Sequence, residues 1–280
     1  MSTTIAFLGP EGTYTDEACY LHAPNKTRLA FPSLQLVAAA LENNQVDEAV
    51  LPIENSLGGT VIEVVDYLIS SKKAHIIGEL MLPINHCLIT RPGVKLKDIQ
   101  IVMSKQEALI QCREFLSTKL QHAEQVPTAS TALAVTDLKD ADDRTAAIGP
   151  LRAAELAGLP VIAHKIQDRK NNVTRFAVLS SSGLISKIAD KTSIAFDFDR
   201  PDAPGSLFDA LRAFADRNIN LVKIESRPTG KGIGNYIFLI DFEGHIEDEN
   251  IQGALKQLRK LTSTLRVFGS YPGAKGLSAR

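Results

Sequence analysis

Short apolar runs alternate with stretches of helical periodicity over the first two thirds of the chain. Residues 5–8 read as a strand, followed by the loop Gly9-Pro10-Glu11-Gly12. Leu34, Val37, Ala38 and Leu41 recur at helical spacing, and Ala49-Val50-Leu51-Pro52-Ile53 reads as a buried strand that ends at its proline. Residues 84–89 and 101–103 are further strands, and Leu109, Cys112, Leu116 and Leu120 line one helical face. Residues 146–148 and 176–179 complete the region. Strands alternating with helices predict an α/β domain with a mainly parallel sheet. The pattern breaks after Ser180-Ser181-Ser182-Gly183, which marks a linker. Beyond it the order is βαββαβ, a ferredoxin-like plan. The strands are 192–198, 220–226, 236–242 and 264–270. The helical stripes are Leu207, Phe208, Leu211, Phe214 and Ala215, then Ile251, Ala254, Leu255, Leu258 and Leu261. Gly230-Lys231-Gly232-Ile233-Gly234 precedes a strand rather than a helix, so it reads as a hairpin turn and not as a nucleotide loop.

Composition narrows the class. The chain has 280 residues, 44% hydrophobic and 22% charged, as expected for one large or two modest globular domains. A net charge of −1 argues against a general nucleic-acid binder. No apolar stretch approaches the roughly 18 residues of a membrane span. The start, Met1-Ser2-Thr3-Thr4-Ile5, has neither the basic residues nor the apolar core of a signal peptide, which points to the cytoplasm. Cys19, Cys87 and Cys112 fit neither a disulfide framework nor a zinc site, and the six histidines show no metal-ligand pairing.

Four hydroxyl- or glycine-rich loops lie between a strand and a helix, at residues 9–15, 54–60, 104–106 and 128–131. Helix N-termini at the carboxyl ends of parallel strands make a small-anion site. Helix capping by the same residue types is the alternative. The polar clusters Glu54-Asn55-Ser56 and Asn171-Asn172-Val173-Thr174-Arg175-Phe176 each adjoin an apolar strand. Arg175 there meets either an anionic ligand or a protein carboxylate. No G-x-S-x-G elbow and no Walker A loop is present.

The motifs go further than the pattern. Gly9-Pro10-Glu11-Gly12-Thr13-Tyr14-Thr15, Pro52-Ile53-Glu54-Asn55-Ser56, Ser104-Lys105-Gln106-Glu107-Ala108-Leu109 with Gln111 and Cys112, and Asn172-Val173-Thr174-Arg175-Phe176 occur in order. Pro204-Gly205-Ser206-Leu207 and Glu225-Ser226-Arg227-Pro228 follow. Together they resemble the monofunctional prephenate dehydratases that end in an ACT domain. Lys105 stands where the family usually has histidine, and Ser206 where its effector motif has alanine.

The resemblance implies a two-lobed, periplasmic-binding-protein-like α/β catalytic domain over residues 1–183. Its lobes are 1–77 with 160–180, and 78–159; a linker at 184–190 and a ferredoxin-like ACT domain at 191–280 follow. It implies decarboxylating dehydration of prephenate to phenylpyruvate, with no cofactor and no metal, and feedback by L-phenylalanine in a homodimer or homotetramer. Arogenate dehydration and a non-catalytic amino-acid or keto-acid sensor are the rival readings. By resemblance the catalytic residues are Thr174, Glu54 and Arg175, with Thr174 and Glu54 sharing the proton. The implied substrate ligands are Thr13, Asn55, Ser56, Ser104, Gln106, Asn172 and Phe176. The implied effector residues are Gly205, Ser206, Leu207, Glu225, Ser226 and Arg227.

Overall fold

In a computed structural model of the chain, residues 3–183, 188–198, 204–229 and 234–274 are described. Positions 184–187 of the expected linker and 230–233 of the expected hairpin turn lie outside the described residues. From the N-terminus the elements are β1 (Thr4–Leu8), α1 (Tyr14–His22), β2 (Thr27–Phe31), α2 (Leu34–Glu42), β3 (Glu48–Asn55), β4 (Gly59–Thr60), α3 (Ile62–Ser70) and β5 (His75–Pro83). There follow β6 (Cys87–Thr90), β7 (Ile101–Ser104), α4 (Gln106–Gln111), α5 (Arg113–Lys119), β8 (Glu124–Pro127), α6 (Thr131–Asp137), β9 (Thr145–Gly149), α7 (Leu151–Ala157), β10 (Val161–Ala163) and β11 (Val173–Ser180). The last elements are β12 (Lys191–Asp197), α8 (Ser206–Ala215), β13 (Leu221–Pro228), β14 (Tyr236–Glu243), α9 (Glu249–Leu261) and β15 (Thr264–Tyr271).

The described residues form three sheets, ordered β2-β1-β3-β11-β5 with β4 beside β3, β10-β6-β9-β7-β8, and β13-β14-β12-β15. The second is mixed rather than mainly parallel. β7 runs parallel to β8 and β9, while β6 is antiparallel to β9 and β10. The third has the expected βαββαβ order, with antiparallel pairing throughout. By compactness the chain divides into one unit of Met1–Ile62 and Leu80–Phe176 and another of Glu63–Glu79 and Ala177–Lys275.

Local chemistry explains where the elements start and where expectation and structure part. α2 buries Leu34, Val37, Ala40 and Leu41, and the Ser33 hydroxyl accepts from Leu36 N at its start. β3 does not end at Pro52 but runs to Asn55. Its registered pairing with β1 reaches only Val50, so the missing proline N–H breaks no bond on that edge. The helical stripe from Leu109 to Leu120 is two helices, broken at Cys112 where φ is −112° and ψ 21°. All four stripe residues nevertheless enter one core with Leu88, Val102 and Ile148. The strand expected at 84–89 begins only at Cys87, and β5 just before it was not expected.

In the C-terminal unit, Phe196, Phe214 and Phe242 are fully buried. Each contributes on the order of 1.5–3 kcal/mol by leaving water. The same unit holds a part-buried ion pair, Lys191 Nζ to Glu79 Oε2 at 3.0 Å. Arg266 donates to Leu68 O at 2.7 Å and Ala74 O at 3.0 Å, closing the carbonyl end of α3 and the turn after it.

Candidate active site

The site grows from two strand ends. β3 finishes in Glu54-Asn55, and β11 opens with Val173-Thr174-Arg175-Phe176. Asn55 ties them together. Its Oδ1 accepts from Leu57 N at 2.9 Å and Gly58 N at 2.8 Å, an Asx turn that fixes the amide. Nδ2 therefore faces the other way, donating to Asn172 Oδ1 at 2.7 Å and Thr174 Oγ1 at 2.9 Å. The Thr174 oxygen is thus an acceptor toward the protein, and its own O–H meets no acceptor among the described residues.

The other candidate hydroxyls are committed inside the fold. Thr13 caps α1 by accepting from Asp16 N and donates to Pro10 O. Ser56 donates to Asn171 O and accepts from Val173 N, latching the two motifs to each other. Ser104 is fully buried and donates to Ile148 O at 2.6 Å. Ser130 caps α6 through Leu133 N. Capping or latching within the fold, not an offered hydroxyl, is what all four loops use these side chains for. Gln106 opens α4 on the surface, and Phe176 is buried in the sheet.

Glu54 and Arg175 form a second pairing, Oε2 to Nη1 at 3.6 Å. The guanidinium is 6% exposed and the carboxylate side chain 37%. Successive side chains of a strand leave on opposite faces, so Glu54 diverges from Asn55 and Arg175 from Thr174. The arrangement gives Arg175, rather than Thr174, as the partner of Glu54. It separates the two groups that the motif reading expected to share a proton.

The network continues through residues outside the expected set. Asn172 Nδ2 donates to Gln111 Oε1 at 3.1 Å, and the same oxygen lies 3.0 Å from His86 Nε2. His86 Nδ1 is 3.0 Å from the Tyr14 hydroxyl, which is 2.8 Å from Asn85 O. Burial lowers the His86 pKa below its ordinary value, against the opposing effect of its hydrogen bond to Gln111 Oε1. Burial pushes the Tyr14 phenol well above its ordinary value. Both groups are neutral near pH 7. Gln111 was visible as part of the third motif. His86 interrupts an apolar run, the one sequence signal it gave. The opening loop is pinned separately: buried Asp16 accepts from Gly12 N at 3.0 Å and pairs with Arg152 at 3.3 Å.

In the C-terminal unit, Gly205 precedes α8 at φ 87°, a left-handed conformation that glycine adopts without strain. Ser206 opens the helix, and Leu207 packs on its core. On β13, Glu225 and Arg227 share the more buried face, where Glu225 pairs with Lys223 at 3.3 Å. Arg227 grips Asp66 of α3 with two nitrogens, at 2.7 and 3.3 Å. Ser226 lies on the opposite, exposed face.

Comparison with known proteins identifies the family of the chain. The family model for prephenate dehydratase matches residues 5–183 and that for the ACT domain residues 196–260. Arogenate dehydratase 2 of Petunia hybrida is 39% identical over 98% of this chain and 73% of its own length. The bifunctional chorismate mutase/prephenate dehydratase of Neisseria gonorrhoeae is 36% identical over 97% of this chain and 75% of its own. A crystal structure of the Arthrobacter aurescens prephenate dehydratase in complex with L-Phe superposes with a TM-score of 0.90 at 36% identity, covering 99% of this chain and 92% of that one. The chain belongs to the prephenate dehydratase family and carries an ACT domain. Among the described residues no helix is long and apolar enough to cross a membrane.

Proposed function

We propose that this protein converts prephenate to phenylpyruvate, water and carbon dioxide, and that L-phenylalanine regulates it through the ACT domain. The observation that carries the reading is the orientation of Asn55. By donating to Thr174 Oγ1 it leaves the threonine O–H as a donor without an acceptor among the described residues. The substrate loses a hydroxyl from one ring carbon and a carboxylate from the opposite one. The electron pair of the carbon–carboxylate bond enters the ring as the carbon–oxygen bond breaks. The departing oxygen takes up one proton, and the ring becomes aromatic. That gain supplies the driving force, so the protein's part is to hold a dianion and stabilise the leaving oxygen. Thr174 O–H donates to that oxygen as it becomes basic. A threonine hydroxyl is too weak an acid to act alone, so the proton is replaced from solvent. Gln111 Nε2–H, also without a partner among the described residues, is a second donor for the substrate. Arg175 draws the anion electrostatically and is held in place by Glu54.

Arogenate differs only in bearing an amino group where prephenate has its keto oxygen, and the same steps apply. We take residues 1–183 as the catalytic region; the expected lobes of 1–77 plus 160–180 and 78–159 shift at both joins, since β5 keeps residues to Pro83 in the first sheet and β10 puts Val161–Ala163 in the second. We take 184–190 as the linker and 191–280 as the regulatory domain. Gly205, Ser206, Leu207, Glu225, Ser226 and Arg227 are the proposed effector contacts, in a homodimer or homotetramer. Three free, buried cysteines suit a reducing cytoplasm.

The test is incubation with prephenate at neutral pH, following phenylpyruvate by its absorbance in alkali, with and without L-phenylalanine. Turnover suppressed by L-phenylalanine is expected. A kcat/KM higher on arogenate would move the substrate assignment, and no turnover of either would leave the sensor reading.

A further inference from the structure

We infer that His86 and Tyr14 are positioning residues for the reaction, acting through Gln111, an inference that rests on the dehydratase reading above. Every amide in the chain of hydrogen bonds has its orientation fixed by the one before. The N–H groups of Leu57 and Gly58 fix Asn55. Asn55 Nδ2 fixes Asn172, and Asn172 Nδ2 makes Gln111 Oε1 an acceptor. The His86 nitrogen facing that oxygen at 3.0 Å must therefore carry a proton. In a neutral imidazole the other nitrogen, Nδ1, is then bare and accepts. The Tyr14 hydroxyl, 3.0 Å away, is its donor and shares the proton with Asn85 O. The Tyr14 ring also meets the imidazole edge-on, with centroids 5.8 Å apart.

The result is one polarised network that carries two spare donors among the described residues, Thr174 O–H and Gln111 Nε2–H. Two donors on one rigid frame suit a substrate whose leaving oxygen and carboxylates both need hydrogen bonds. Without the His86 proton, Gln111 Oε1 keeps a single donor, and its amide is free to tilt away from the productive angle. His86 is 3% exposed, so the imidazole itself serves the frame rather than the solvent.

Two substitutions and one spectrum test this. In His86→Leu the volume stays and the donor goes; in His86→Gln an amide N–H takes over the reach of Nε2. His86→Leu is expected to lower kcat about tenfold or more, the worth of one well-placed hydrogen bond, with KM within about threefold. His86→Gln is expected to recover most of the loss, and Tyr14→Phe to lose about threefold to tenfold in kcat. The 15N spectrum of the parent protein's imidazoles should show His86 as the neutral Nε2–H form at pH 7. That measurement stands whether or not the leucine variant folds. His86→Leu with parental kcat, His86→Gln as impaired as the leucine variant at equal Tm, or an Nδ1–H tautomer would each overturn the inference. A parent protein inactive on both prephenate and arogenate overturns the functional reading and this inference with it. An active parent with an indifferent His86→Leu overturns this inference alone.

Discussion

Asn55 Nδ2 stands 2.9 Å from Thr174 Oγ1, across a chain separation of 119 residues. Because Asn55 Oδ1 is already held by two backbone N–H groups, this contact has one polarity only. The threonine accepts from the protein and can donate only to what lies beyond it.

That polarity makes Thr174→Val and Thr174→Ser an informative pair. Valine keeps the shape of the side chain and removes the donor. It is expected to lower kcat by about 100-fold or more, in the range of a lost proton-transfer contact, with Tm little changed. Serine keeps the hydroxyl and should retain most of the rate. Steady-state kinetics on prephenate decide it, and a valine variant with near-parental kcat removes Thr174 from the chemistry.

Arg175 is buried while its partner Glu54 is 37% exposed, so the guanidinium holds a charge that solvent only partly reaches. Arg175→Lys loses the planar fork and one of the two ways of meeting a carboxylate. A fall in kcat/KM of about tenfold is expected, because a lysine ammonium does not reproduce the Glu54-held geometry of the guanidinium that draws the anion. Glu54→Gln should weaken catalysis less than Arg175→Lys, because it orients the cation rather than meeting substrate. Equal kcat/KM for Arg175→Lys and parent would mean that the shape of the guanidinium does not matter and that any cation there suffices.

How much of this was legible beforehand varied with chain distance. The strand–helix alternation, the βαββαβ module and the Asn55 and Thr174 motifs were all visible, because each is local. The split of Glu54 from Thr174 was also available, since period-two alternation follows from neighbouring positions once both segments are strands. The β5 strand was not, because Gly78 and Glu79 interrupt its apolar run. The Glu79 side chain is accommodated there by Lys191, 112 positions away, and by the Ala274 N–H. Gln111, His86 and Tyr14 belong to one network for the same kind of reason. Their contacts span 25 and 72 positions, and no spacing rule reports on partners that far apart.

Arg227 and Asp66 join the proposed effector strand to α3 by a two-nitrogen ion pair. The chain enters α3 directly from the β3–β4 hairpin that carries Glu54 and Asn55. Asp66→Asn keeps the size and removes the charge. It should raise the L-phenylalanine concentration giving half inhibition by about threefold or more, with the uninhibited kcat unchanged. Inhibition curves that superpose would mean that the pair is structural only.

Gly269 sits where β15 and β12 shift register, opposite Ser193. A Cβ placed on it would overlap the Ile76 carbonyl, a backbone group that cannot rotate aside. Gly269→Ala should therefore destabilise the protein by about 3 kcal/mol or more, at the upper end of overpacking costs. Denaturant unfolding would measure it; a loss below about 1 kcal/mol would show that β15 can move away from β5.

The three cysteines are free and buried. Burial pushes the Cys19 and Cys112 thiols up to about 12 and raises Cys87 as well. At pH 8 each is therefore neutral as well as covered, and a thiol reagent should label none of them in the native protein and all three in denaturant. The same shifts set the direction of alkaline stability. An unfolded cysteine loses its proton near pH 8.5, while the folded thiols hold theirs to about 12. Between these values the unfolded state binds fewer protons than the folded one, so unfolding becomes easier as pH rises. Urea midpoints should fall from pH 8 to pH 10, and Cys112→Ala should reduce the slope of that fall. Fast labelling at pH 8, or an unchanged slope in the variant, would contradict the burial that raises these thiols.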